Sequence, residues 1–254
     1  MEYMLGADGI ILCGGKATRL KGVNGTLPKC LLKVHGRSVL GHLIYHLSSK
    51  LDNITLSYHK DKNIILEALR LELDESLLSK LIFENDPSQE GTALAVQRHH
   101  SRIDRALTVV NGDTLYDDFN NIIPLIIETN TIIFSTSYQR VDRAGAVTIN
   151  KTSKMIEFSK NREGGLNHEG WVTNGIISIG SGALNIFKSK KLEAGTSIEK
   201  SLLELQHDRK ISARLHNTGA KFMDIGVPEE FLNADASFKR LIASQRNSSG
   251  SDYP

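Results

Sequence analysis

Short apolar runs bounded by polar or glycine residues recur along the chain, at 9–13, 53–57, 80–83, 106–110, 131–135, 146–149 and 173–179. Runs of this length with such borders predict buried strands. Between the early runs lie amphipathic segments of helical length, at 38–51, 61–73 and 92–101. In the first of these, Val39, Leu40, Leu43, Ile44 and Leu47 fall on one helical face. Strand alternating with helix predicts an α/β protein whose sheet is parallel and covered on both sides. The later runs, around 131–149, follow one another without helices, which predicts a hairpin-like insertion and so a mixed, mostly parallel sheet. A closing helix is predicted over 229–244. The polar stretch 246–254 reads as a fraying tail, which leaves 1–245 as one domain.

Composition narrows the picture. The chain has 254 residues, 40% of them apolar, enough for a sizeable core. Lys and Arg number 31 against 29 Asp and Glu, so any cationic site must be local. Neither a nucleic-acid partner nor a membrane surface is expected. Two cysteines, Cys13 and Cys30, are too few for a disulfide framework or a four-thiolate zinc site, and both are expected to be packed. No apolar run reaches the roughly 20 residues of a membrane span. No basic segment precedes an apolar leader, so the expected location is cytoplasmic. The nine histidines show no HExxH-like spacing and are expected to be neither catalytic nor zinc-binding. Trp171 is expected in the core.

Chemistry concentrates just after the first strand, in Leu12-Cys13-Gly14-Gly15-Lys16-Ala17-Thr18-Arg19-Leu20. Open parallel sheets bind ligands beyond the carboxyl ends of their strands. Glycines 14 and 15 let backbone N–H groups approach an anion closely. Lys16, Arg19 and Lys29 add positive charge; Arg19 can grip two phosphate oxygens, and Pro28 stiffens the chain that aims Lys29. These residues read either as a polyphosphate site or as a solvated turn. The Walker pattern and the dinucleotide Gly-x-Gly-x-x-Gly are both absent. Two carboxylates at strand ends, Asp113 in Asn111-Gly112-Asp113 and Asp224 before Ile225-Gly226, read either as metal ligands or as a turn residue and a helix cap.

The opening motif, closed by Pro28-Lys29, resembles the signature of the sugar-1-phosphate nucleotidyltransferases. Four more segments are similar to that family in the same order: Gly91-Thr92-Ala93, Gly112-Asp113, 170–176, and Asp224-Ile225-Gly226-Val227-Pro228-Glu229. The resemblance implies a Rossmann-like three-layer nucleotidyltransferase fold. Residues 1–115 would serve mainly the nucleotide, and 116–245 mainly the sugar phosphate and the second metal ligand. It implies condensation of an NTP, first GTP, with a heptose or hexose 1-phosphate, giving an NDP-sugar and pyrophosphate.

By the same resemblance, Leu12, Gly14, Gly15, Lys16, Thr18, Arg19, Lys29, Gly91, Thr92, Asn111 and Gly112 bind the nucleotide. Arg19, Lys29 and Asp113 carry catalysis, and Asp113 with Asp224 holds Mg²⁺. Glu157, Lys160, and Thr173 or Asn174 face the sugar phosphate. The family places Gly91 under the nucleobase; Thr92 is expected to cap the next helix. Gln89-Glu90 departs from the family's Pro-Leu, and Phe158-Ser159-Lys160 departs from its Phe-x-Glu-Lys. Cytidylyl, thymidylyl or uridylyl transfer, a non-catalytic homologue and a retaining glycosyltransferase are the alternatives. A homo-oligomer is a further expectation.

Overall fold

The computed structural model describes residues 7–14, 27–60, 62–86, 90–99, 105–124, 128–140, 146–149, 156–159, 169–225 and 231–234. The strands are β1 (Ala7–Leu12), β2 (Lys33–Val34), β3 (Arg37–Ser38), β4 (Ile54–Tyr58), β5 (Leu81–Asn85), β6 (Ala106–Asn111), β7 (Thr114–Tyr116), β8 (Thr131–Arg140), β9 (Ala146–Ile149), β10 (Ile156–Ser159), β11 (Glu169–Ile179), β12 (Ser212–Asn217) and β13 (Phe222–Asp224). The helices are α1 (Val39–Leu47), α2 (Lys62–Arg70), α3 (Glu75–Leu78), α4 (Thr92–Arg98), α5 (Ser181–Lys188) and α6 (Ile198–His207).

One large sheet runs in the order β10-β9-β11-β6-β1-β4-β5, with β8 also pairing β11 and β12 pairing β8. At its centre β6, β1, β4 and β5 are parallel. β11 then runs antiparallel to β6, which makes the sheet mixed. Neighbouring residues sort onto opposite faces, as a strand's alternation requires. Ile11, Val110 and Ile176 join α1 and α2 in one core cluster. Ile10, Val109 and Ile177 join α4, α5 and α6 in the other. The result is the α/β three-layer arrangement expected from the sequence. Among the described residues, no helix is long and apolar enough to cross a membrane.

The expected hairpin around 131–149 is corrected. β8 and β9 each pair with β11, and the hairpin is β9 with β10. The cause is β11, whose eleven residues give both strands a common partner. Trp171 is corrected as well: it is 39% exposed. Cys30 is buried and Cys13 partly so, as expected. The Cys13 thiol is pushed well up by its hydrogen bond with Cys30 and by burial, which keeps it protonated and inert. Most of the predicted closing helix 229–244 and the tail 246–254 lie outside the described residues, although 231–234 are helical.

On α1, His46 stacks on Phe119 with ring centroids 4.1 Å apart. Burial, helped by His42, lowers its pKa from 6.5 to about 4. The unfolded chain therefore binds the proton first as pH falls. Stability from the neutral ring is complete above 6.5 and is lost as pH drops toward 4. The ring is partly exposed, so the loss should amount to about 1–2 kcal/mol. The urea midpoint should fall across this window and fall less in His46→Phe. Equal slopes in the two proteins would exclude His46 as the cause.

Candidate active site

The parallel strands β1, β4, β5 and β6 all deliver their carboxyl ends to the same edge of the sheet. The chain leaves β1 toward β4 and β5 on one side, then returns to β6 on the other. The gap between β1 and β6 is thus the topological switch point, where loops diverge and open a crevice. Gly14 and Asp113 sit at that point. Gly14 is exposed, and a Cβ built on it would meet no atom of the described residues within 4 Å.

Gly112 is a glycine for the opposite reason. Its amide donates to the Leu12 carbonyl at 3.1 Å, and a Cβ there would lie 2.7 Å from that oxygen. The close approach clamps the end of β6 onto the end of β1 and fixes the start of Asp113. Gly175, at φ +84°, lies against Asn111 in the same manner: its Cβ would sit 2.9 Å from Asn111 Nδ2. Two strand ends, at Leu12 and Asn111, and the bulged middle of β11 at Gly175 thus meet just before Asp113.

Asp113 leads directly into β7, and β7 pairs antiparallel with β13 so that Thr114 faces Asp224. The Ile225 amide donates to the Asp113 carbonyl at 2.9 Å. Asp117 closes the other end of this small ladder: its amide donates to the Lys221 carbonyl, and its Oδ1 accepts from the Lys221 amide. Its role is to hold the ribbon that brings Asp224 beside Asp113.

Lys29 arrives from a third direction. Residues Lys29–Leu31 form a 3-10 turn started by Pro28 at φ −55°. Cys30 and Leu31 are buried beneath the turn, so Lys29 is directed out of it. Its Nζ lies 3.7 Å from Asp113 Oδ2. The Asp113 carboxyl is pushed up, first by burial, then by the Asp224 charge, and Lys29 only partly counters this. Among the described residues, one cation, Lys29, stands beside the two acidic groups. Gly15, Lys16, Thr18, Arg19 and Lys160 lie outside the described residues.

The loop before α4 is bound to α6. Gly91 takes φ +104° and ψ 158° as the N-cap of α4, with no side-chain cap. A Cβ on Gly91 would sit 2.6 Å from the Thr196 carbonyl. Thr92 does not cap α4, a correction: its Oγ1 accepts the Ile198 amide at 2.9 Å, so it ties α4 to α6. Ser197 caps α6 by accepting the Lys200 amide. Glu90, one of the departures from the family pattern, has its carboxylate paired with Arg98. Gly91 is therefore a glycine because its backbone region is nearly closed to other residues and the Thr196 backbone fills its Cβ direction. Gly91→Ala should destabilise the fold by about 1–3 kcal/mol. A urea midpoint equal to the wild type's would refute this packing.

Of the residues expected to face the sugar phosphate, Asn174 is fully buried. Its Nδ2 donates to Ser137 Oγ at 3.3 Å and Thr218 Oγ1 at 3.4 Å, while its backbone carbonyl accepts from the buried Tyr116 hydroxyl at 2.7 Å. Thr173 is only partly buried and lies on the opposite face. Between Thr173 and Ile177 the β8–β11 register shifts, so β11 bulges where it passes the site. Of the two alternatives, Thr173 is the one open to a ligand. Glu157, on β10, is exposed. Tyr116 and Thr196 carry no local signal in the sequence, whereas Gly175 falls within the family-like segment 170–176, beside Asn174.

Gly14, Lys29, Asp113 and Asp224 thus gather at the switch point, the place where open parallel sheets bind their ligands. A family model described as Nucleotidyl transferase matches residues 8–240. The chain belongs to that family and is an enzyme of the sugar-1-phosphate nucleotidyltransferase class. It is 26% identical over 226 residues to the D-glycero-alpha-D-manno-heptose 1-phosphate guanylyltransferase of Campylobacter jejuni, covering 88% of this chain and 96% of that protein. It is 25% identical over 241 residues to the bifunctional protein GlmU of Methanococcus aeolicus, of which it spans only 55%. The crystal structure of HddC from Yersinia pseudotuberculosis matches with a TM-score of 0.68 at 25% identity, covering 91% of this chain and 99% of that one. The same protein complexed with GMP-PN matches at 26% identity with a TM-score of 0.66.

Proposed function

We propose that this enzyme transfers a guanylyl group from GTP to a heptose or hexose 1-phosphate, releasing pyrophosphate. The observation that carries the reading is Lys29 Nζ, 3.7 Å from Asp113 Oδ2 at the β1/β6 switch point, with Asp224 on the adjoining ribbon. Guanine as the base, and heptose before hexose, rest on the likeness to the Campylobacter guanylyltransferase. Residues 1–115 carry mainly the nucleotide side, and 116–245 the acceptor side with the second carboxylate.

An oxygen of the sugar phosphate attacks the α-phosphorus in line, and the bond to the β-phosphate oxygen breaks. The attacking oxygen is already anionic, so no general base or covalent enzyme intermediate is needed. The chain has to bring two anions together and stabilise charge as pyrophosphate leaves. Lys29 holds the α-phosphate; Arg19 and the amides of Gly14 and Gly15 take the β- and γ-phosphates. Leu12, Lys16, Thr18, Asn111 and Gly112 complete the phosphate wall, with Gly91 and Thr92 beside the base. Lys160, Glu157 and Thr173 meet the acceptor.

The acidic pair fits Mg²⁺. The Asp113 carboxyl is raised by burial and by Asp224, so a bound cation would relieve both costs. Mg²⁺ needs only one or two carboxylates when phosphates supply the rest. Held by Asp113 and Asp224, it would supply charge neutralisation at the α-phosphate.

A matrix of the four NTPs against several aldose 1-phosphates, scored by pyrophosphate release, tests the reading. GTP with a manno-configured 1-phosphate should give the highest kcat/KM. A CTP, dTTP or UTP optimum would move the enzyme to another base, and no release from any pair would favour a non-catalytic homologue.

A further inference from the structure

Tyr138 on β8 and Trp171 on β11 face each other directly in the sheet register. Their rings meet edge to face, with centroids 5.4 Å apart and planes at 72°. Both are open, Tyr138 at 51% and Trp171 at 39% exposure, although each lies on a strand whose inner part is buried. The alternation of β8 puts Phe134, Thr136 and Tyr138 on one face. The pairing Thr136–Thr173 puts Thr173 and Trp171 there too. Phe134 belongs to the core beneath α4, α5 and α6. That face is therefore covered by helices at one end of β8 and bare at the other.

The bare end has a defined position. β6 stops at Asn111, and the last β11 residue paired with it is Ile176. Residues Glu169 to Gly175 of β11, and the β8 residues paired with them, overhang the carboxyl edge where Lys29, Asp113 and Asp224 converge. The helix that starts at Gly91 and Thr92 covers the same face. Phe158, which precedes the proposed acceptor residue Lys160 by two, also lies on this face, edge to face with Phe134 at 5.3 Å. Thr173, the partly open residue of the acceptor strand, is two positions from Trp171.

We infer that Tyr138 and Trp171 form an aromatic platform on which the sugar ring of the acceptor stacks, with Thr173 at its inner border. The inference rests on the reading of the enzyme as a sugar-1-phosphate nucleotidyltransferase and adds the residues that hold the sugar itself. A pyranose ring exposes a face of C–H groups, and these meet the negative face of an aromatic ring favourably. The platform supplies binding to the ring while the cationic crevice holds the phosphate. Two rings set at 72° present a corner that accepts one ring face and one edge.

Trp171 is the only tryptophan in the chain, so its fluorescence reports this place alone. The test uses the full-length chain, GTP, and α-D-mannose 1-phosphate and D-glycero-α-D-manno-heptose 1-phosphate as probes. Each sugar phosphate should change Trp171 emission saturably, whereas inorganic phosphate should leave it unchanged. Trp171→Leu and Tyr138→Leu should each raise the acceptor KM about 3- to 10-fold with the GTP KM unchanged, and Trp171→Phe should keep most of the affinity. Pyrophosphate release with an unaltered acceptor KM in both Leu variants overturns the platform and leaves the proposed function standing. A saturable Trp171 response without pyrophosphate release from any pair keeps the platform and overturns guanylyl transfer. A change from dimer to monomer on sedimentation of the Leu variants, at unchanged KM, would make the pair a subunit contact and overturn the inference.

Discussion

Lys29→Ala is expected to lower kcat about 100- to 1,000-fold, with little change in the urea midpoint. The magnitude is that of removing one preorganised donor from a site where charge develops. The Lys29 ammonium is 3.7 Å from Asp113, on a turn fixed by Pro28 and by the burial of Cys30 and Leu31. The turn stays packed when the side chain is cut back, so a loss of turnover cannot be ascribed to unfolding. Lys29→Arg should recover only part of the rate, because a planar fork does not occupy the position of a point charge. Near-normal turnover in Lys29→Ala would take this residue out of the mechanism.

Asp113→Asn is expected to reduce pyrophosphate release by at least about 1,000-fold and to abolish its dependence on Mg²⁺. The substitution keeps the shape and the backbone bond from Ile225 to the residue 113 carbonyl, so the β7–β13 ladder should persist. It removes the carboxylate that Lys29 and Asp224 both act upon. Asp224→Asn should move activity in the same direction. The double variant should fall little further than Asp113→Asn, since the two groups act as one unit. Asp113→Asn with the wild type's Mg²⁺ response would exclude Asp113 from the metal site.

The strands legible in the sequence are those that read as unbroken apolar runs, because a strand covered by helices on both faces buries every residue. β1, β4, β6 and the 176–179 end of β11 are of this kind. β12, which runs Ser-Ala-Arg-Leu-His-Asn, and the three-residue β13 lack the pattern, since one is half exposed and the other is held by a single short partner. The hairpin was misplaced for a related reason: β8 and β9 look like neighbours in sequence, but β11 is the better partner for each. Thr92 carried a cap's identity, yet the cap depends on where the side chain points, and the α6 amide at Ile198 drew it away.

The sequence by itself determined which groups the chain carries to its strand ends: glycines where backbones must approach, a proline before Lys29, and an acid after each of two short runs. Local patterns encode these features because burial period and turn geometry are properties of neighbouring residues. Tertiary structure alone decided that Lys29, Asp113 and Asp224 share one crevice, that Asn174 turns inward while Thr173 stays open, and that Tyr138 meets Trp171. Those meetings join residues far apart in the chain. They follow from strand order, register and the bulge in β11, which the packing of the whole sheet sets and no single segment contains.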